Sequence, residues 1–142
     1  MRAADSLLPH EAMTRHLDAA ALTELARRAE QTDPPSCTCT RTPLDGWQSQ
    51  PLSIDERQLA QVGTLVAETE SEPTFAEYLP GETRYWSDDA PIAPRYFPYN
   101  RCGVWACMLC GRLYLRYTEG GGYFVDQRMR ALNPRLIEDV PL

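Results

Sequence analysis

The chain has 142 residues, 43% of them hydrophobic and 24% charged, which suits one globular domain with its own core. Its net charge is −6, and all 14 basic residues are arginine. This balance disfavours binding to nucleic acid, because phosphate neutralisation supplies most of the non-specific affinity. No apolar run has the length of a membrane span, and the N-terminus lacks the order of a signal peptide. We therefore expect a cytoplasmic protein that binds neither nucleic acid nor membranes.

The first predicted element is a helix from Pro9 to about Glu30. Apolar residues recur there at every fourth position and form one stripe, which consists of Met13, Leu17, Ala21, Leu25 and Ala29. The prolines at positions 34 and 35 prevent the helix from continuing. A break in the helix near Asp18 is an alternative.

A second, shorter helix is predicted in the middle of the chain. Ser53 and Glu56 have the spacing of a capping box, in which each side chain satisfies a free N–H at the start of a helix. The pattern predicts a helix from Ile54 to about Gln61, ended by Gly63. A short strand is expected to follow over residues 63–67.

After these helices, the sequence predicts a loop over residues 68–100 and strands over 112–117 and 123–130. Five prolines interrupt residues 68–100, which predicts a long ordered loop with a short strand around Thr83–Trp86. Alternating patterns over 112–117 and 123–130 predict two strands of a hairpin. The glycine-rich stretch 118–122 between them predicts the turn.

Four of the five cysteines form two close pairs. Cys37 and Cys39 are separated by one residue, whereas Cys107 and Cys110 are separated by two and are followed directly by Gly111. Two thiolates in a tight turn can bind one ion, and glycine lets the backbone fold beneath it. Two pairs supply the four sulfur ligands of a closed, structural zinc site. We therefore predict Zn²⁺ bound by all four of these residues.

Two alternatives to this ligand set stay open. Cys102 could replace one of the four ligands, or the cysteines could be free buried thiols. A catalytic zinc needs an open coordination position, which four thiolates do not leave. The sequence also contains no phosphate-binding or nucleophile motif, so we predict that the protein is not an enzyme.

Together these elements predict an α+β fold. It has an N-terminal helix or helices, a small antiparallel sheet or hairpin, a zinc-ribbon-like knuckle and long proline-rich loops, because a C-x-x-C-G turn that leads into a hairpin is typical of zinc ribbons. We predict a single domain over 1–142. Within it, 1–35 forms an N-terminal helical segment and 36–142 forms a zinc-stapled α+β core.

One part of the sequence resembles a known group of proteins. The run from Asn100 to Phe124, NRCGVWACMLCGRLYLRYTEGGGYF, is similar to small cytoplasmic proteins of Gram-negative bacteria. Some of these resemble immunity proteins that are encoded beside secreted antibacterial toxins. The similarity extends over about residues 53–133. It implies a protein that binds and neutralises a cognate toxin without performing chemistry of its own.

The predicted partner surface lies in the acidic segment, residues 68–89. This segment contains seven acidic residues and one arginine, interleaved with aromatic residues. Carboxylates would steer a basic toxin towards this segment, and aromatic side chains would supply buried contacts. The residues predicted to bind the partner are Glu77, Glu82, Tyr85, Trp86, Asp88 and Asp89. The alternative is a solvated acidic face with the aromatic side chains in the core.

A second function class is a zinc-ribbon protein that binds nucleic acid or acts as a regulator. Arginine and tyrosine residues of the predicted hairpin could form a basic stacking face, made of Arg112, Tyr114, Arg116, Tyr117, Arg128 and Arg130. The net charge of −6 argues against this class.

Overall fold

The computed structural model describes residues 15–31, 37–68, 72–121 and 123–142. These residues form one α-helix, α1 (Ala19–Glu30), and a five-stranded antiparallel sheet. The strands are β1 (Gln48–Ser49), β2 (Leu59–Thr64), β3 (Gly103–Cys107), β4 (Leu113–Gly121) and β5 (Phe124–Ala131). Their order in the sheet is β1-β5-β4-β3-β2. One helix beside an antiparallel sheet agrees with the predicted α+β class. Within the described residues, no helix has the length and apolar character needed to cross a membrane.

The predicted first helix is wrong over residues 15–18. The structure begins α1 at Ala19, where the Asp18 carboxylate caps the helix by accepting the Ala21 N–H. Just before it, the chain is extended beside β2, since the Leu17 N–H donates to the Thr64 carbonyl and the Thr64 N–H donates to the Arg15 carbonyl. Leu17 is buried, so it belongs to the core as predicted, but from an extended segment. The part of the prediction over 9–14 lies outside the described residues.

The predicted helix over 54–61 is also wrong. Only a 3-10 turn, Glu56–Gln58, forms there, and its capping box consists of Asp55 and Gln58 instead of Ser53 and Glu56. From Leu59 the chain pairs with β3, and this long-range pairing outweighs the local helical signal. Gly63 therefore lies inside β2 and does not end a helix.

The hairpin is confirmed, but the turn predicted over 118–122 is wrong for residues 118–121, which belong to β4 and pair with β5. β4 and β5 pair from Tyr114 opposite Ala131 to Gly121 opposite Phe124, with Gly122 of the turn outside the described residues. The strand predicted around Thr83–Trp86 is wrong, because this segment is made of turns. The Ser87 hydroxyl accepts the Arg84 N–H and stabilises one of them.

The sheet packs against a hydrophobic cluster on each face. One cluster contains Leu22 of α1, Trp47 and Leu115 of β4. The other contains Tyr114 of β4 together with three of the paired cysteines, Cys39, Cys107 and Cys110. Neighbouring residues of a strand point to opposite faces, which explains why Tyr114 and Leu115 belong to different clusters. The cysteines therefore lie on the face of the sheet away from α1.

Candidate functional site

The four paired cysteines meet in space. Their Sγ atoms all lie within 4.8 Å of one another. The Sγ atoms of Cys37 and Cys107 are 3.7 Å apart, and those of Cys39 and Cys110 are 3.4 Å apart. Sulfurs about 2.3 Å from a tetrahedral zinc ion lie about 3.8 Å from each other, so the spacing suits one ion. The predicted cluster is confirmed as a group that could hold a metal.

The turn after β3 presents the second pair. Cys107 ends β3, and the Gly111 N–H donates to its carbonyl oxygen at 2.7 Å. The backbone N–H groups of Leu109 and Cys110 donate to the Cys107 sulfur, and the N–H of Arg112 donates to the Cys110 sulfur. Such donors stabilise thiolates, which are the form that binds metal. Gly111 has φ +83°, a left-handed conformation that closes the turn.

A short 3-10 turn, Thr38–Arg41, presents the first pair. Cys37 precedes it in an extended conformation, and its carbonyl oxygen accepts bonds from both the N–H and the hydroxyl of Thr40. The buried hydroxyl of Tyr114 on β4 donates to the Cys39 carbonyl at 3.2 Å. Hydrogen bonds to its backbone therefore fix Cys39 against the sheet and Cys37 within the 3-10 turn.

The thiols differ in their readiness to ionise. Burial would raise the pKa of Cys107, but N–H donors from Leu109, Cys110 and the Gln58 amide outweigh it and lower this pKa to about 7. Burial raises the pKa of Cys39 and of Cys110. The cluster therefore combines a sulfur that ionises more readily with two sulfurs whose burial favours the protonated form, and a bound cation would stabilise the thiolate form of each.

Two residues that support the cluster were missed by sequence reasoning. The Gln58 Nε2 lies 3.5 Å from the Cys107 Sγ, and the Met108 N–H donates to the Gln58 carbonyl. Tyr114, predicted as part of a stacking face, belongs to this cluster. The alternating pattern of β4 could have placed Tyr114 on a buried face. Gln58 carries no signal in the sequence, because its contact with Cys107 depends on the pairing between β2 and β3.

Cys102 does not belong to the cluster. It is fully buried in the other hydrophobic cluster, and its thiol donates to the Pro98 carbonyl at 3.3 Å. Burial raises its pKa well above the ordinary value. The alternative in which Cys102 replaces one of the four ligands is therefore wrong.

The acidic segment exposes its charges. In the described part of the chain, Glu77, Glu82, Asp88 and Asp89 are exposed, and none of them forms an ion pair with an arginine. By contrast, Glu56 binds the buried guanidinium of Arg116 through two hydrogen bonds, of 2.6 and 2.8 Å. The four carboxylates thus leave their charges uncompensated at the surface.

The two aromatic residues predicted as anchors have different environments. Tyr85 is half-buried: its ring stacks on Trp47 with centroids 6.0 Å apart, and its hydroxyl lies 2.5 Å from that of Tyr117. Trp86 is 65% exposed. Its carbonyl oxygen packs against Gly46 so closely that a Cβ there would lie only 2.2 Å from it. The Tyr85 ring therefore packs into the fold, whereas the Trp86 ring is accessible at the surface.

A buried arginine fixes the end of the acidic segment. Arg130 has 0% exposure, and it donates to the carbonyl oxygens of Asp45, Asp88 and Ala90 and to the Tyr99 hydroxyl. The backbone of Asp88 is thus tied to β5 while its carboxylate stays exposed.

The predicted basic face of the hairpin does not form. Arg130 is fully buried, as is Tyr114, and Arg116 and Tyr117 are each 6% exposed. Arg128 bonds to the carboxylate of Asp126 at 2.7 Å. Four of the six residues predicted for this face are therefore buried, whereas Arg112 and Arg128 are only partly buried.

Comparisons with models of protein families, with curated proteins and with solved structures found no match.

Proposed function

We propose that this chain is a non-enzymatic cytoplasmic binding protein, held together by a structural Zn²⁺ ion, that recognises a basic protein partner. The resemblance of the run from Asn100 to Phe124 suggests an immunity protein, and hence a cognate antibacterial toxin as the partner. A zinc-ribbon-like knuckle at Cys107–Gly111 is part of this proposal.

The observation that carries the proposal is the four-sulfur cluster. Four thiolates complete the tetrahedral coordination that zinc prefers and leave no position for water or substrate. Such a closed site stabilises a fold and performs no Lewis-acid chemistry. Iron also accepts four thiolates, so the identity of the metal is itself part of what is proposed.

The acidic segment supports the choice of partner. The exposed carboxylates at 77, 82, 88 and 89 form no ion pair with an arginine in the described structure, and they would steer a basic partner towards this surface. The exposed ring of Trp86 offers an apolar anchor at the centre of these charges in the sequence. The hydrogen bonds of Arg130 hold the segment in place, which lowers the entropy lost on binding.

The test uses the protein encoded beside this chain in its genome, measured for binding by biolayer interferometry. The double variant Asp88→Arg and Asp89→Arg should associate about tenfold more slowly at physiological salt, with a nearly unchanged melting temperature. The matched control is Glu24→Arg with Glu138→Arg, two exposed acids elsewhere, which changes the net charge equally.

The control variant should also associate more slowly than the parent, but by a smaller factor than the Asp88→Arg and Asp89→Arg variant. The reason is that it changes the net charge of the protein and leaves the acidic segment unchanged. If both double variants bind like the parent, the acidic segment is not the recognition surface. If the neighbouring protein does not bind the parent chain at all, the proposed toxin partner is wrong.

A further inference from the structure

A cavity of about 460 Å³ lies where the chain enters α1, and neither the cysteine cluster nor the acidic residues predicted to bind the partner contribute to its described lining. Its apolar walls include Leu17, Leu65, Ala67 and Pro94. The volume falls in the range of small-molecule sites, which are usually concave and mainly apolar with a few polar groups.

One polar group in the lining lacks a partner. Asn100 is only 7% exposed, and its Nδ2 donates to the carbonyl oxygens of Thr74 and Arg95. Its Oδ1 is buried and has no hydrogen-bond donor in the described structure. A buried acceptor without a donor is unfavourable by about 1–3 kcal/mol. Solvent does not reach this oxygen, so the Asn100 amide would have to shift slightly before an N–H group of a ligand could donate to it.

The charges of the lining select the sign of the ligand. The carboxylates of Asp18, Glu72 and Asp139 belong to it, together with a single arginine, Arg95. Arg95 is already paired with Asp139 at 3.1 Å. Asp18 accepts the Ala21 N–H at the start of α1, and Glu72 has no partner in the described structure. The described lining thus holds more carboxylates than arginines, which favours cations over anions.

We propose that this cavity binds a small organic cation, with an apolar body of aryl or alkyl character and an ammonium or guanidinium group. The apolar body packs against the walls formed by Leu65 and Ala67. The positive charge is stabilised by the acidic lining, and a small shift of the Asn100 amide would let an N–H donor of the ligand reach its Oδ1. This site is independent of the protein partner proposed above.

Three probes of similar size and different charge test the proposal: 2-phenylethylamine, 2-phenylethanol and 3-phenylpropionate. Each is titrated into the full chain at physiological salt and followed by two-dimensional amide NMR. The amine should cause saturable shifts around Leu65, Ala67 and Asn100. It should bind at least tenfold more tightly than the carboxylate, with the alcohol between them. Equal binding of all three probes, shifts spread over the whole surface, or no saturable binding of the amine would overturn the proposal.

A pair of neighbouring substitutions locates the ligand. Ala67→Trp fills the cavity from its edge and should weaken binding of the amine at least tenfold. Val66→Trp is the matched control, because Val66 is 41% exposed and does not line the cavity, and it should bind like the parent. Glu72→Gln removes one negative charge and keeps the size of the side chain. It should lower the ratio of the affinity for the amine to the affinity for the carboxylate. The assignment would be contradicted if Glu72→Gln kept the parent's ratio of affinities for the amine and the carboxylate, and Ala67→Trp bound the amine as tightly as the parent. If Ala67→Trp fails to fold, the result for Glu72→Gln decides.

Discussion

The Sγ atoms of Cys39 and Cys110 lie 3.4 Å apart, although 71 positions separate the two residues in the chain. One sulfur is presented by a 3-10 turn and the other by the turn between β3 and β4. An ion shared by them would close a long loop, and a link across a long loop removes more entropy from the unfolded chain than a link across a short one. The proposed metal would therefore act mainly on stability.

The first prediction concerns the substitution Cys110→Ser. It should abolish zinc binding and lower the free energy of unfolding by about 4 kcal/mol when free zinc exceeds the parent's Kd a thousandfold. The reason is that a ligand that binds only the folded state stabilises it through its binding energy. Urea denaturation with and without a chelator measures the effect. The parent should lose stability in chelator, whereas Cys110→Ser should not change.

Cys102→Ser is the control for this substitution, because Cys102 is buried in the other cluster and its thiol donates to the Pro98 carbonyl. This variant should keep its zinc and its sensitivity to chelator, whatever packing energy it loses. If Cys110→Ser and Cys102→Ser responded to chelator in the same way, the cluster would not be the metal site.

The second prediction concerns Gly111→Ala. A Cβ at this position would meet no atom within 4 Å, so only the backbone angle opposes the change. At φ +83° an L-residue other than glycine is disfavoured, and we expect a loss of about 1–2 kcal/mol. Gly111→Asn should lose less, because asparagine tolerates the left-handed region. Equal stability of the parent and both variants, measured by urea denaturation, would show that the turn does not need this conformation.

The third prediction is a pH dependence. The hydrogen bonds from Arg116 lower the pKa of Glu56. A carboxyl whose pKa is lower in the folded state stabilises the fold above its unfolded pKa of about 4.3, and this contribution is lost as the pH falls through the folded value. Glu56→Gln should therefore be less stable than the parent at pH 7, and the difference should vanish in acid.

We expect about 1 kcal/mol at pH 7, because the Glu56 side chain is 63% exposed and solvent weakens the pair. The matched control is Glu24→Gln, whose partner Arg28 is exposed and 3.8 Å away, and which should change stability very little. A difference between Glu56→Gln and the parent that persists undiminished in acid would assign the effect to packing instead of charge.

Local patterns predicted the parts of the fold that local forces determine. The alternation over 112–117 and 123–130 identified β4 and β5, because a period of two is typical of strands. The pattern did not show that residues 113–117 are buried on both faces of the sheet. The spacing of the cysteines identified the cluster, since two close pairs in one chain can satisfy one ion. Each strand pattern and each cysteine pair is short in sequence, and the chemistry of a four-sulfur site links the two pairs although about 70 positions separate them.

Long-range contacts explain the failures. The fourfold apolar period through Leu17 fits a helix, but hydrogen bonds to Thr64 keep this residue extended. The capping-box spacing at Ser53 predicted a helix, but the chain from Leu59 pairs with β3, opposite Cys107, and forms a strand instead. Arg130 resembles a surface cation in the sequence, and only the carbonyl groups that converge on it from 45, 88 and 90 explain its complete burial.

The metal content of the purified protein tests the central claim most directly. The chain should be expressed in a bacterial cytoplasm, isolated without chelator or nickel resin, and analysed by native mass spectrometry together with elemental analysis. We predict one zinc ion per chain, and release of that ion when Cys107 and Cys110 are both replaced by serine. A folded protein that contains no zinc, or one whose four paired cysteines all react as free thiols, would contradict the account.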